Sequence, residues 1–317
     1  MSAKRIILRI ADVFLLPFVC VGAVLLWGVR RVGVGRIPLC RNALIRIGVF
    51  PITRHYYEPQ FDHRRPKRPF SEERELPGID WNIPGQLEML ARFQYAEELA
   101  GIPMHRADGA EFHFNNGFFE SGDAEYWYQL IRTVKPKRII EIGSGFSTMM
   151  AMRALRKNRE ISAGHQCEHI CVEPYEQRWL EKSGARVIRQ RVEDIQPDWL
   201  LELDENDVLF IDSSHIIRPE GDVLFEYLQL LPRLRRGVIV HVHDIFSPRN
   251  YLSQWLREDV WFWNEQYLLE AFLTQNPSWK VLGAVNLLHH RQYDELKRVA
   301  PYLTPEREPG SFYIQRI

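Results

Sequence analysis

The chain has no excess of charge of either sign: 41 lysines and arginines balance 41 aspartates and glutamates among 317 residues. With no global positive field and no basic tail beyond the N-terminal region, nucleic acid is not an expected partner. Cysteine is scarce. The four residues are Cys20, Cys40, Cys167 and Cys171, with no CxxC pair and no zinc-ligand spacing among them. That argues against a disulfide framework; the thiols read as reduced core or membrane residues, which favours a cytoplasmic catalytic part. Internal repeats and low-complexity tracts are also lacking, and 45% hydrophobic with 26% charged residues is an ordinary globular balance.

What is present begins with an uncharged apolar run over 13–29, VFLLPFVCVGAVLLWGV. As a helix it covers about 25 Å, slightly short of a hydrocarbon core of about 30 Å. Ile6, Ile7, Leu8 and Ile10 lengthen it, with Arg9 and Asp12 as interruptions. A cleaved signal peptide is the rival reading, opposed by the run's length and by Trp27-Gly28-Val29-Arg30-Arg31, which is no small-residue cleavage site. Arg30, Arg31, Arg36, Arg41, Arg46 and Arg54 follow without one acidic residue, against Lys4, Arg5 and Arg9 upstream. The expectation is an anchor over residues 6–29 in the inner, cytoplasmic membrane, with the bulk of the chain in the cytoplasm. Residues 37–50 alternate apolar stretches with arginine and suit an anionic leaflet, and Pro17 also permits a kinked, re-entrant helix.

Three regions are expected: anchor and basic segment 1–54, a polar, proline-broken linker and helical lead-in 55–122, and a folded domain 123–317. Helical patterns fall at 86–99, 124–134, 147–157, 175–182, 222–234 and 261–274. Strands read at 138–142, 169–173, 186–188, 208–212, 237–244, 279–285 and 311–316, the last as an antiparallel edge strand. This alternation predicts an α/β fold: a doubly wound, mostly parallel, seven-stranded, Rossmann-like sheet with an N-terminal membrane helix.

Within it, Ile139-Ile140-Glu141-Ile142-Gly143-Ser144-Gly145-Phe146-Ser147-Thr148 is a strand entering a glycine turn and a helix. Gly143 and Gly145 permit conformations and close approach that a Cβ would block, and Ser147 or Thr148 can cap the helix. A GxG turn alone equally describes a tight connection. The second strand ends on Glu173, where an acid takes ribose hydroxyls in nucleotide-type sites, and the missing third glycine argues against a dinucleotide. The series EIGSGFST, VEP, FIDSSH and GVIVHVHDIF resembles the class I S-adenosylmethionine (SAM) methyltransferases over residues 114–317, and more narrowly a methyltransferase family 24-like branch found in polysaccharide and secondary-metabolite gene sets. The resemblance implies SAM as cofactor, its methionine part wrapped by Glu141, Gly143, Ser144, Gly145 and Ser147, its ribose held by Glu173, and its adenine near Glu193 and Asp194. It also implies a loop over the cofactor at Phe118, Phe119 and Glu120.

Two strand ends carry Asp212-Ser213-Ser214-His215 and His241-Val242-His243-Asp244. Three readings stand: His215 or His243 as general base oriented by Asp212 or Asp244; Asp212, His243 and Asp244 as ligands of Mg²⁺ or another divalent ion; or structural histidines, with His241 packed inside the sheet. The aromatic series Tyr251, Trp255, Trp261, Phe262, Trp263 and Tyr267, with Asn264 and Glu265, reads as a sugar platform or as packing on the sheet. His289 and His290 read as surface. The functional expectation is O-methylation of a sugar or lipid-linked glycan at the cytoplasmic membrane face. A non-catalytic membrane-tethered scaffold of polysaccharide assembly and a nucleotide-sugar or NAD-dependent enzyme are the alternatives.

Overall fold

The computed structural model describes residues 3–52, 66–106, 112–162, 164–175, 178–259 and 261–317. The start of the expected polar linker (55–65), and residues 107–111 of the lead-in, lie outside them. The chain divides into two compact units, Met1–Lys67 and Arg68–Ile317.

In the first unit, helix α1 (Ala3–Val32) runs 30 residues through Pro17 as one helix. Its apolar side chains, Phe14, Phe18 and Leu25 among them, are exposed along its length. Among the described residues, Lys4–Val32 is the one helix long and apolar enough to cross a membrane. Helix α2 (Pro38–Ile47) carries Arg41 and Arg46 beside exposed Leu39, Ile45 and Ile47, and it ends at Gly48 with φ +81°.

The second unit opens with α3 (Ile83–Arg92), shorter than the 86–99 pattern suggests because Ala96–Leu99 forms a separate 3₁₀ turn. Helix α4 (Asp123–Val134) stops at Lys135 (φ +50°), since the following Pro136 disfavours a helical residue before it. Then come β1 (Arg138–Ile142), α5 (Phe146–Ile161), β2 (Glu168–Val172), β3 (Arg186–Ile188), β4 (Val208–Ile211), α6 (Asp222–Phe225), β5 (Ile239–Val242), α7 (Ser253–Arg257), α8 (Glu265–Leu273), β6 (Trp279–Ala284), α9 (Val285–Arg291), α10 (Tyr293–Val299) and β7 (Phe312–Arg316). The seven strands order as β3-β2-β1-β4-β5-β7-β6. Strands β1 to β5 pair in parallel, and β7 runs antiparallel between β5 and β6. The expected edge position of the last strand is therefore corrected: β7 inserts, and β6 takes the edge.

Other expected helices differ too. Of 175–182, the described part forms only the 3₁₀ turn Leu180–Lys182. Residues 222–234 break into α6, a π turn (Glu226–Leu230) and a 3₁₀ turn. Helix α8 begins only at Glu265, so Trp261 and Trp263 precede it.

Both faces of the sheet are covered, as the continuous Ile and Val runs require. On one face Ile139, Val208, Phe210, Ile239 and Tyr313 pack under α4 and α5 with Trp127, Met150 and Ala154. On the other, Ile140, Ile142, Val172, Leu209, Ile211 and Val240 pack with Val223, Leu230 and Leu269. Each such fully buried side chain contributes about 1.5–3 kcal/mol relative to exposure. The chain order reverses between β1 and β4, and the backbone ladder runs past the strand ends there: Gly143 N donates to Val172 O (3.0 Å) and Asp212 N to Ile142 O (2.8 Å). Gly143 takes φ +83°, and a Cβ on it would stand 2.0 Å from the Asp212 carbonyl oxygen. Gly143→Ala is expected to cost about 1–3 kcal/mol in urea unfolding. Gly145→Ala, whose added Cβ meets nothing within 4 Å, is expected to leave the unfolding midpoint nearly unchanged.

Candidate functional site

The strand order places a crevice outside the carboxyl ends of β1 and β4, where open α/β sheets bind ligands. A hollow of about 350 Å³ lies there, lined by Gly143, Glu173, Tyr175, Glu193, Asp212 and Ser213, among others. Glu173 accepts hydrogen bonds from Ser144 N (3.2 Å) and Tyr175 N (3.1 Å), so the carboxylate bridges the glycine turn and the end of β2. Glu193 faces Arg191 (3.8 Å) and Arg218 (3.9 Å) at the rim. Gly143, Glu173 and Glu193 thus border one hollow.

Others of the expected cofactor set do not reach the hollow. Glu141 is fully buried on the α5 side of β1. It accepts from Thr148 Oγ1 and from Ser147 Oγ (3.4 Å), and it pairs with His169 Nε2 at 2.9 Å. A residue two before the turn shares the face of Ile139, and that pleat carries the carboxylate under the turn; Ser147 follows it into burial. Asp194 is exposed and bound to Arg191 at 3.1 Å. Ser144 lends the hollow its backbone N–H to Glu173. Of the loop residues, Phe118 is exposed and stacks on Phe146 (6.2 Å, 15°), Phe119 is buried, and Glu120 pairs with Arg307.

The polar residues after β4 and β5 converge beside the hollow. His215 sits at φ +59° and Asp244 at φ +58°, both left-handed, which turns their side chains back toward the crest. His215 Nε2 lies 3.3 Å from Asp212 Oδ1 and 3.6 Å from Asp244 Oδ2, while Nδ1 meets Glu265 Oε2 at 2.8 Å. His243 Nδ1 lies 3.6 Å from both Asp212 and Asp244, and its Nε2 3.7 Å from Asp123. The ligand atoms of Asp212, His215 and Asp244 all fall within 4.8 Å of one another. Asp212, His215 and Asp244 thus form a candidate cation-binding triad, and His243, expected in it, stands 3.6 Å from both carboxylates. His241 is buried against Tyr313 (4.2 Å) and Phe210 (4.4 Å), with neither ring nitrogen hydrogen-bonded, so burial holds it neutral as a core residue. His289 is buried rather than superficial; His290 is exposed and pairs with Glu308.

Electrostatics separates the members of the cluster. Burial opposes charge on His215, but the carboxylates of Asp212, Glu265 and Asp244 outweigh it and hold the imidazole well above its ordinary value. For His243, Asp244, Asp212 and Asp123 likewise outweigh burial. Asp212 keeps 35% of its side-chain surface exposed, and against burial the two imidazoles hold its carboxyl well below the usual range. Burial, with Asp212 and Asp123 adding to it, pushes Asp244 up to about 6.

Glu265 is the residue whose role sequence reading missed. It stands 50 positions from His215, fully buried, and also accepts from Tyr227 Oη (3.1 Å). Behind it Glu226 lies in the π turn, held protonated by burial and by the neighbouring Glu265 and Asp222. The aromatic series packs above the cluster: Trp263 covers His215 (4.4 Å), Trp261 stacks on Trp263 (4.8 Å, 20°), and Trp255, Tyr251 and Phe246 form the base. Folded-state pKa values above the unfolded one make His215 and His243 stabilising below pH about 6.5, a contribution lost as pH rises through the raised values. In histidine-detected NMR titrations both imidazoles are expected to stay protonated through pH 6.5, and Glu265→Gln to move the His215 midpoint downward.

Residues 140–245 match the family model described as a methyltransferase domain. An uncharacterized protein of Archaeoglobus fulgidus is 31% identical over 174 residues, spanning 50% of this chain and 75% of that protein. Two solved structures of the plantazolicin methyltransferase BpumL, one with SAH and one with SAH and a triazolic desmethylPZN analog, align at 14% and 16% identity, with TM-scores of 0.32 and 0.35. Each alignment covers 62% of this chain and 83% of that one.

Proposed function

Because this chain belongs to the methyltransferase-domain family, we propose that it transfers the methyl group of SAM to a hydroxyl oxygen of a sugar or lipid-linked glycan at the cytoplasmic face of a membrane. The observation that carries the reading is the junction of two features at one strand crest. On one side is a hollow whose floor is the Gly143 turn and whose wall is Glu173; on the other is a cluster of carboxylates and imidazoles. The open space over Gly145 and the 350 Å³ volume suit a nucleoside-sized ligand. In this reading Glu173 takes the ribose hydroxyls and Glu193 stands near the base.

SAM supplies an electrophilic methyl on a sulfonium; the protein's part is to align the acceptor oxygen and remove its proton. Among the cluster, Asp244 has the affinity best matched to a base near neutral pH, since its carboxyl is pushed to about 6. His215 and His243, held protonated by their carboxylates, are weaker candidates for the base than the sequence suggests, and serve as fixed positive charge and hydrogen-bond donors. Asp212 anchors both imidazoles.

A divalent ion is the second reading, favoured by the convergence of Asp212, His215 and Asp244 with Glu265 behind the imidazole, the outer carboxylate that orients a ligating histidine. Those three residues would hold it, and it would lower the acceptor's pKa. The exposed apolar α1 supports a membrane-borne acceptor, for which encounter occurs in two dimensions.

Calorimetry is expected to give one equivalent of bound SAM; no binding would leave the scaffold alternative standing. Asp244→Asn and Asp212→Asn are each expected to lower kcat by about 10²–10⁴-fold with SAM affinity nearly kept. The wild-type kcat/KM should fall as pH drops through about 6. Activity surviving exhaustive chelation removes the metal reading. Membrane glycolipids from cells carrying the gene should be one methylene heavier, by mass spectrometry, than those from cells without it.

A further inference from the structure

The segment that runs into β2 and on to Glu173 carries a pattern the proposed reaction does not use. His165, Cys167, His169 and Cys171 alternate with Gln166, Glu168 and Ile170. Alternate residues of a strand share a face, so His169 and Cys171 on β2 both point under α5. Glu141 on β1, paired in register with Cys171, points the same way. All three are buried, Glu141 and Cys171 completely. His169 Nε2 meets Glu141 Oε1 at 2.9 Å and lies 4.0 Å from Cys171 Sγ, and the three ligand atoms fall within 4.8 Å of one another.

We propose that Glu141, His169 and Cys171 form a zinc site, separate from the crevice cluster, that ties β1 to β2 beneath the glycine turn. The donor set is one carboxylate, one imidazole and one thiolate, the mixture that suits Zn²⁺. Ligands about 2.0–2.3 Å from a tetrahedral zinc stand about 3.3–3.8 Å from each other, and the separations of 2.9 and 4.0 Å bracket that spacing. The outer support is in place: Thr148 and Ser147 hold the second oxygen of Glu141, as ligating carboxylates are held elsewhere. Access is provided by an adjoining cavity of about 180 Å³ lined by His165, Cys167 and His169. His165 Nε2 is enclosed there without a hydrogen-bond partner, one further nitrogen beside the site. Binding replaces the proton between His169 and Glu141 and the thiol proton of Cys171, both of which pass to solvent. Glu141⁻ and the thiolate balance the ion's charge. The strand period, not a CxxC spacing, is what assembles these ligands, and Cys171 is at once a reduced core thiol and a ligand.

The test uses the full chain in detergent with Cys20 and Cys40, both exposed on the first unit, replaced by serine, stripped by chelator and titrated with Zn²⁺ by calorimetry and with Co²⁺ by absorption. One equivalent with a near-ultraviolet thiolate-to-cobalt band is expected. Cys171→Ser should abolish the band and His169→Gln should weaken binding at least tenfold, whereas Asp212→Asn should keep the band. No band in the parent chain, or a band that survives Cys171→Ser, overturns the site. Should both ligand variants fail to fold, the parent titration decides alone, because Cys167 and Cys171 are then its only thiols; Cys167→Ser should retain the band.

Discussion

Gly143 comes so near the Asp212 carbonyl that no side chain fits between them, and its left-handed backbone is one that glycine adopts at little cost. That approach draws the ends of β1 and β4 together at the point where strand order reverses. The turn then leaves the sheet toward α5, and Asp212 leaves it toward the crevice. Had the residue after β1 carried a Cβ, the two crests would separate, and the hollow and the polar cluster would no longer share an edge. Neighbouring ladders carry the alignment outward: Glu173 N bonds Ile188 O, and His243 N bonds Ile211 O. The crest is therefore level across five strands, β3, β2, β1, β4 and β5.

The parallel core was legible because strands buried on both faces are written as unbroken Ile and Val runs, as at Ile139-Ile140 and Val208-Leu209-Phe210-Ile211. What escaped was long-range. Nothing in Phe312-Tyr313-Ile314 says whether it pairs once or twice; its insertion between β5 and β6 is set by Val242↔Phe312 on one side and Ala284↔Phe312 on the other. The break after α6 was illegible for a different reason: residues 222–234 keep helical hydrophobic spacing, yet a π turn begins at buried Glu226.

Within the site, Gly143, Glu173 and Asp212 line the hollow because each stands one residue past the end of its strand, at the crest. Glu141 does not, because it lies inside β1, where its side chain is buried under α5. Glu265 was visible only as part of an aromatic, sugar-like series. Its signal is a carboxylate in the first turn of α8 on the side that buries Gln266 and Leu269, a place where an acid needs a partner. Sequence separation hid that partner, His215.

The protein thus builds two carboxylate–imidazole pairs of similar length with opposite settings: His169–Glu141 at 2.9 Å and His215–Glu265 at 2.8 Å. In both, a fully buried acid raises its histidine against the cost of burial. The difference is what lies on the other side. Beyond His169 stand Cys171, the underside of α5 and the cavity it shares with His165 and Cys167, so that pair opens on a space apart from the crevice. Beyond His215 stands Asp212, a third exposed and lining the hollow, so charge held there meets whatever the crevice binds. Exposure rather than pairing distinguishes them: removing Glu265 disturbs, through His215, a carboxylate that faces the hollow, while removing Glu141 loosens the floor on which the glycine turn rests.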